Sequence, residues 1–150
     1  MRKTILSVLG SLCILICLSQ TDPVHWYCSY KKLSDKTGEI HFVATIDKAW
    51  HIYAQVQPKD AVAVPTKFVL SKNPLVVLIG LPKEIGKKEI SKNEVLDIVQ
   101  YQYADKVEFV QKVTLKAKTK TNVQGVVTYQ ACKEDRCLPA KTYNTVIQIE

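Results

Sequence analysis

Val123-Gln-Gly-Val-Val-Thr-Tyr-Gln-Ala-Cys-Lys-Glu-Asp-Arg-Cys-Leu-Pro-Ala-Lys-Thr-Tyr-Asn-Thr-Val-Ile-Gln-Ile149 sets the reading of the whole chain. Val123, Val127 and Tyr129 share one parity, and Tyr143, Ile147 and Ile149 share another, so the period is two and both ends read as β-strands. Between them lie two cysteines separated by four polar residues, then Pro139, which cannot donate to a ladder. The spacing predicts strands over Val123–Ala131 and Lys141–Ile149. It puts Cys132 and Cys137 on the connection between them, at the solvent-facing tip of a hairpin.

The same period recurs upstream. Ile40, Phe42, Ala44 and Ile46 alternate with polar residues, as do Val107, Phe109, Val113 and Leu115. Phe68 and Leu70 share a face after Pro65. Leu75 to Ile79 is a continuous apolar run, the pattern of a fully buried strand. Breakers fall between these runs, at Asp35–Gly38, Pro58–Asp60, Asn73-Pro74, Leu81–Lys83 and Thr119–Asn122. Eight or nine short strands at this spacing predict an all-β sandwich. No segment carries a helical stripe with caps. The lysine- and glutamate-rich stretch from Glu84 to Glu94 reads as a long surface loop, a place where function often lies.

The N-terminus reads as a secretory signal peptide. Arg2 and Lys3 precede an apolar run of 14 residues, Ile5 to Leu18, and Cys17-Leu18-Ser19 offers a cleavage site before Gln20. The run is short for a membrane span, which takes about 20 residues. An uncleaved anchor is the alternative, and the residues flanking Cys13 and Cys17 do not form a lipobox. Residues 20–150 are expected to make one domain. That mature chain has 19 Lys+Arg against 14 Asp+Glu, a net +5, with the lysines scattered. Scattered charge reads as a solvated basic surface rather than a nucleic-acid footprint. A monomer is expected.

Export implies a compartment where disulfides persist. Cleavage leaves three cysteines, so one thiol is over. Cys28 shares parity with Val24, Trp26 and Tyr30 and is expected to face the core as a small hydrophobe. A bond between Cys132 and Cys137 would close a very short loop, which constrains the unfolded chain little. Short, exposed disulfides tend to be labile or catalytic. Spacing alone leaves a redox pair and a structural clip equally open. Lys133 and Arg136 offset Glu134 and Asp135, so no local charge activates a thiolate. Metal binding would need a second ligand pair. His25 and His41 sit at polar parity and read as surface residues, and His51 is a lone histidine between Trp50 and Ile52.

The segment Val127-Thr-Tyr-Gln-Ala-Cys-Lys-Glu-Asp-Arg-Cys-Leu-Pro139 resembles the active-site segment of the N-terminal domain of DsbD, the bacterial thiol:disulfide interchange protein. Asp47-Lys-Ala-Trp-His-Ile-Tyr53, Val99-Gln-Tyr-Gln-Tyr103 and Lys106–Val110 resemble further parts of that domain. The resemblance implies an immunoglobulin-like β-sandwich in the periplasm. It implies a thiol–disulfide oxidoreductase that takes reducing equivalents from a membrane-embedded thiol electron transporter. These pass to thioredoxin-like clients, such as disulfide isomerases or cytochrome c maturation factors. Cys132 and Cys137 would be the redox pair, Cys137 meeting the client's cysteine and Cys132 resolving the mixed disulfide. His51, Tyr53, Tyr129 and Pro139 would lie near the pair. No metal or organic cofactor is implied.

Three features depart from the family pattern. Family members carry transmembrane and thioredoxin-like domains that these 150 residues do not contain, so the donor would be a separate protein. Pro139 is followed by Ala140 where the family often has a second proline. The family's cap loop shields the disulfide with an aromatic residue, whereas the matching stretch here, Lys88 to Asp97, offers only Val95 and Leu96. The alternative to a relay is a non-catalytic cell-envelope binding module whose disulfide only stiffens a hairpin.

Overall fold

The computed structural model describes residues 21–94, 97–134 and 136–150. The expected signal peptide and the cap residues Val95 and Leu96 lie outside the described residues. Among the described residues there are ten strands: β1 (Val24–Lys32), β2 (Thr37–Ile46), β3 (His51–Tyr53), β4 (Lys67–Leu70), β5 (Val76–Asn93), β6 (Ile98–Leu115), β7 (Thr121–Tyr129), β8 (Ala131–Lys133), β9 (Arg136–Cys137) and β10 (Lys141–Ile149). They form two antiparallel sheets. One runs β1-β2-β6-β3-β8-β9 with β5 on the other side of β6, and the smaller runs β10-β7-β4.

The sheets pack face to face through the residues that alternation singled out. Ile40, Phe42, Val107, Phe109 and Val113 of the large sheet meet Val123, Val127, Ile147 and Ile149 of the small one, all nearly or fully buried. Rings tie the sheets together. Phe68 of β4 lies 5.0 Å from Phe42 and 4.8 Å from Phe109 between centroids. Trp26 of β1 lies 5.4 Å from Tyr129 of β7. Cys28 packs half-buried against this cluster. Burial pushes its thiol up to about 11, against a smaller opposing bond from Thr145, so it stays protonated at neutral pH.

Four expectations need correction. Glu84 to Glu94 is not a loop, because β5 continues to Asn93, hydrogen-bonded along β6. It hides its strand character because only one edge of it is paired and its faces are largely open, so no apolar alternation is required. Lysines on such an edge discourage pairing with other chains. Nor is Leu75–Ile79 a buried strand. Val76 is buried, but Val77, Leu78 and Ile79 are 38–50% exposed for the same reason. Two strands reach 18 residues rather than all being short. Finally, His41 is not an ordinary surface residue: it is half-buried on the outer face, with Nδ1 2.6 Å from Glu108 Oε1.

Strand β6 is the spine. Its C-terminal part, 106–114, pairs with β2, and residues 102–104 pair with β3. Asp105 between them has φ 60°, opposite a shift in the β5 register after Gly86. Such a bulge bends a strand and strengthens its twist. A second irregularity after Ile79 leaves carbonyls outside the ladder, and the buried Gln111 amide donates to Ile79 O at 3.1 Å.

Candidate functional site

Strands β7 and β10 pair directly, Tyr129 opposite Lys141. The residues between them do not cap that pair as a simple hairpin. The chain crosses at Gln130 to the large sheet, where β8 pairs with β3 and β9 pairs with β8. Both ends of this small hairpin are rooted in the core by Ala131 and Leu138. The Leu138 N–H donates to Ala131 O at 2.9 Å. The ladder stops there because Pro139, next in line and exposed, has no N–H to give. Gln130 Nε2 donates to Leu138 O at 3.0 Å, bracing the base. Glu134, which follows β8, has φ 52°, the left-handed conformation that tight hairpins use.

Cys132 and Cys137 face each other across this hairpin and form a disulfide, their Cα atoms 4.0 Å apart. The expectation that the pair faces solvent holds for one cysteine only. Cys137 is exposed, whereas Cys132 is fully buried. The difference comes from position in the sheet. β8 lies between two strands, with His51 of β3 directly opposite Cys132, while β9 is the sheet's edge.

The pairing register also assigns the face. Ile52, Tyr103 and Ala131 belong to the core cluster. Their chain neighbours His51, Tyr53, Gln102 and Cys132 therefore project to the opposite, outer face, since side chains alternate along a strand. Tyr53 lies opposite Gln102, and Gln100 lies opposite Ser91 of β5. These rows line a cleft of about 550 Å³ that opens beside Cys137. Val62 and Ala63, from the segment linking β3 to β4, also line it, as do Gln130 and Glu134 from the hairpin side. That segment is anchored by Thr66, whose hydroxyl donates to Tyr53 O at 2.6 Å.

The Tyr53 hydroxyl lies 4.0 Å from Cys137 Sγ, a weak contact. Burial raises the pKa of this phenol, so it remains a donor. Burial also holds the His51 imidazole below its usual range, against a weaker upward pull from Glu89. His51 is thus neutral near pH 7 and supplies no cation to the thiols. Arg136 instead sits over Trp50, 6.0 Å from the ring centroid. Among the described residues no three His, Cys, Asp or Glu side chains converge as a metal site requires.

Of the residues expected near the pair, His51 and Tyr53 do line the cleft. Tyr129 does not: its ring is in the core and its hydroxyl donates to Asp22, which also meets Lys141. Pro139 ends the ladder without lining the cleft. Gln100, Gln102 and Gln130 were not singled out from sequence. The alternation in Val99-Gln-Tyr-Gln-Tyr103 carried the signal, since it puts both glutamines on the face opposite Tyr103.

No family model and no curated protein matches the chain. Among solved structures it is similar to the DsbD N-terminal domain of Neisseria meningitidis in the reduced form, with 17% identity and a TM-score of 0.50 over 81% of this chain and 84% of that one. It is also similar to the N-terminal periplasmic domain of ScsB from Proteus mirabilis, with 16% identity and a TM-score of 0.57 over 84% of this chain and 46% of that one. The likeness establishes the fold, an immunoglobulin-like β-sandwich of the type found in DsbD N-terminal domains.

Proposed function

We propose that this chain is a thiol–disulfide exchange protein of the periplasm, exported with loss of residues 1–19, whose redox pair is Cys132–Cys137. The observation that carries the reading is the unequal exposure of the two sulfurs. An exchange protein needs one accessible sulfur to meet a partner and one protected sulfur to finish the reaction.

In the reduced state the Cys137 thiolate attacks a sulfur of the partner's disulfide. A bond forms between Cys137 Sγ and that sulfur, and the partner's second sulfur leaves as a thiolate. Cys132 then loses its proton and attacks Cys137 Sγ, which re-forms the internal disulfide and expels the partner's first cysteine. The chain loses two electrons, the partner gains two, and the two thiol protons of the pair pass through solvent to the partner's thiolates. The Tyr53 hydroxyl is placed to donate to the Cys137 thiolate. Local charge supplies little activation, so rate depends on access and on the partner's leaving group. The resemblance to DsbD supports thioredoxin-like clients and a membrane-embedded thiol electron transporter as donor.

Trapping tests this reading. Cys132→Ala should accumulate a mixed disulfide through Cys137 when mixed with an oxidised thioredoxin-like protein, and Cys137→Ala should accumulate none. Equal trapping by the two variants would contradict the assignment.

A further inference from the structure

The described lining of the cleft beside Cys137 holds four side-chain amides, from Asn93, Gln100, Gln102 and Gln130, against two charged side chains. Gln100 and Gln102 project from β6 and Gln130 from the base of the hairpin. Gln130 is held by its bond to Leu138 O. Gln100 Oε1 is buried and has no hydrogen-bond partner among the described residues. A buried acceptor left unpaired is costly, and turning the amide so that this oxygen reaches the cleft, where a ligand brings a donor, removes the cost. The charged side chains on the wall, Lys92 and Glu134, oppose one another in sign, and His51 is held neutral by burial.

We infer that this cleft binds an extended peptide segment flanking the partner's cysteine and reads it through its backbone. The inference rests on the exchange reading above and names what the site recognises. A side-chain amide offers a donor and an acceptor together, which matches the alternating C=O and N–H of an extended chain. Gln100 and Gln102 are two residues apart on one strand, so their Cα atoms stand roughly 7 Å apart, the spacing at which an extended peptide repeats its groups on one side. A near-neutral wall suits a peptide backbone and gives no advantage to a small anionic thiol such as glutathione. Cys137 lies on an edge strand at the mouth of the same cleft, so a segment seated there presents its own cysteine to the exposed sulfur.

The test compares second-order rates of the reduced protein with two disulfides. One is a peptide disulfide with four uncharged residues on each side of the cysteine, and the other is a small aromatic disulfide reagent. In Gln100→Met/Gln102→Met, which keeps chain length and removes both amides, the ratio of peptide rate to reagent rate should fall about tenfold, the scale of two lost neutral hydrogen bonds. A peptide N-methylated at the residues flanking its cysteine should show a similar fall with the wild-type protein and little further fall with the variant. An unmoved ratio, with both rates equal or both lowered together, would overturn peptide recognition while leaving exchange intact. If the wild-type protein reacts with neither disulfide, the exchange reading itself fails.

Discussion

The inner and outer faces of the large sheet's far end come from the same strands and do different work. On β3, Ile52 is in the core while His51 and Tyr53 border the cleft. On β6, Tyr103 packs inward and Gln102 outward. On β8, Ala131 fastens the hairpin to the core and Cys132 forms the disulfide. One step along the chain separates packing from the site. The inner face can therefore be rigid and apolar while the outer face stays polar and open. It also means that the position of Cys137 depends on a core to which its own side chain does not belong.

The largest effect expected from breaking the inner face is on stability. Phe109 is fully buried between the sheets, against Phe68 and Trp26. Phe109→Ala should cost about 3–5 kcal/mol in denaturant unfolding, from lost transfer energy and the cavity left behind. A cost below about 1 kcal/mol would show that the two sheets are not held together there.

Next comes the contrast between thiols on the two faces. Cys28, its thiol pushed up to about 11 by burial, should react with a thiol-alkylating reagent at pH 7.5 at least about a hundredfold more slowly than an ordinary exposed thiol, whose pKa is near 8.5, and more slowly than reduced Cys137. Mass spectrometry after timed quenching reads both sites. Comparable rates would mean that Cys28 is not a core residue in solution.

A smaller effect is expected from removing the disulfide. Cys132→Ala/Cys137→Ala should lower stability by about 2 kcal/mol or less, since the closed loop is short. A loss as large as that of Phe109→Ala would make the pair a structural staple and erase the difference between the faces.

The smallest effect concerns pH. Burial depresses the His51 pKa from 6.5. The unfolded chain therefore binds the proton more readily in that range, so the contribution of His51 is complete above about 6.5 and is lost as pH falls through the folded value. Stability measured from pH 7 down to 5 should fall less steeply in His51→Gln than in the wild type. Identical slopes would place His51 in open solvent.

Much of this was legible in the sequence where one face of a strand is buried. Ile40, Phe42, Val107, Phe109, Val123 and Ile147 announced the sandwich by period two alone. Strand β5 escaped because its edge position leaves Ile79, Ile85 and Ile90 exposed, so burial imposed no pattern on it. The cysteines were legible as a pair but not as unequal partners. Their burial is set by β3 lying beside Cys132 and by the absence of any described strand on the outer side of β9, a long-range arrangement that local spacing does not encode. The glutamines were visible as polar parity, yet only the register of β6 against β3 shows them converging on one cleft.

The central claim is that the pair on the outer face exchanges electrons rather than stapling the fold. The reduction potential of Cys132–Cys137, measured by equilibration with a redox buffer of known poise, tests it most directly. We expect a value within the range of exchange proteins, from about −120 to −270 mV, and a value well below about −300 mV would contradict the claim.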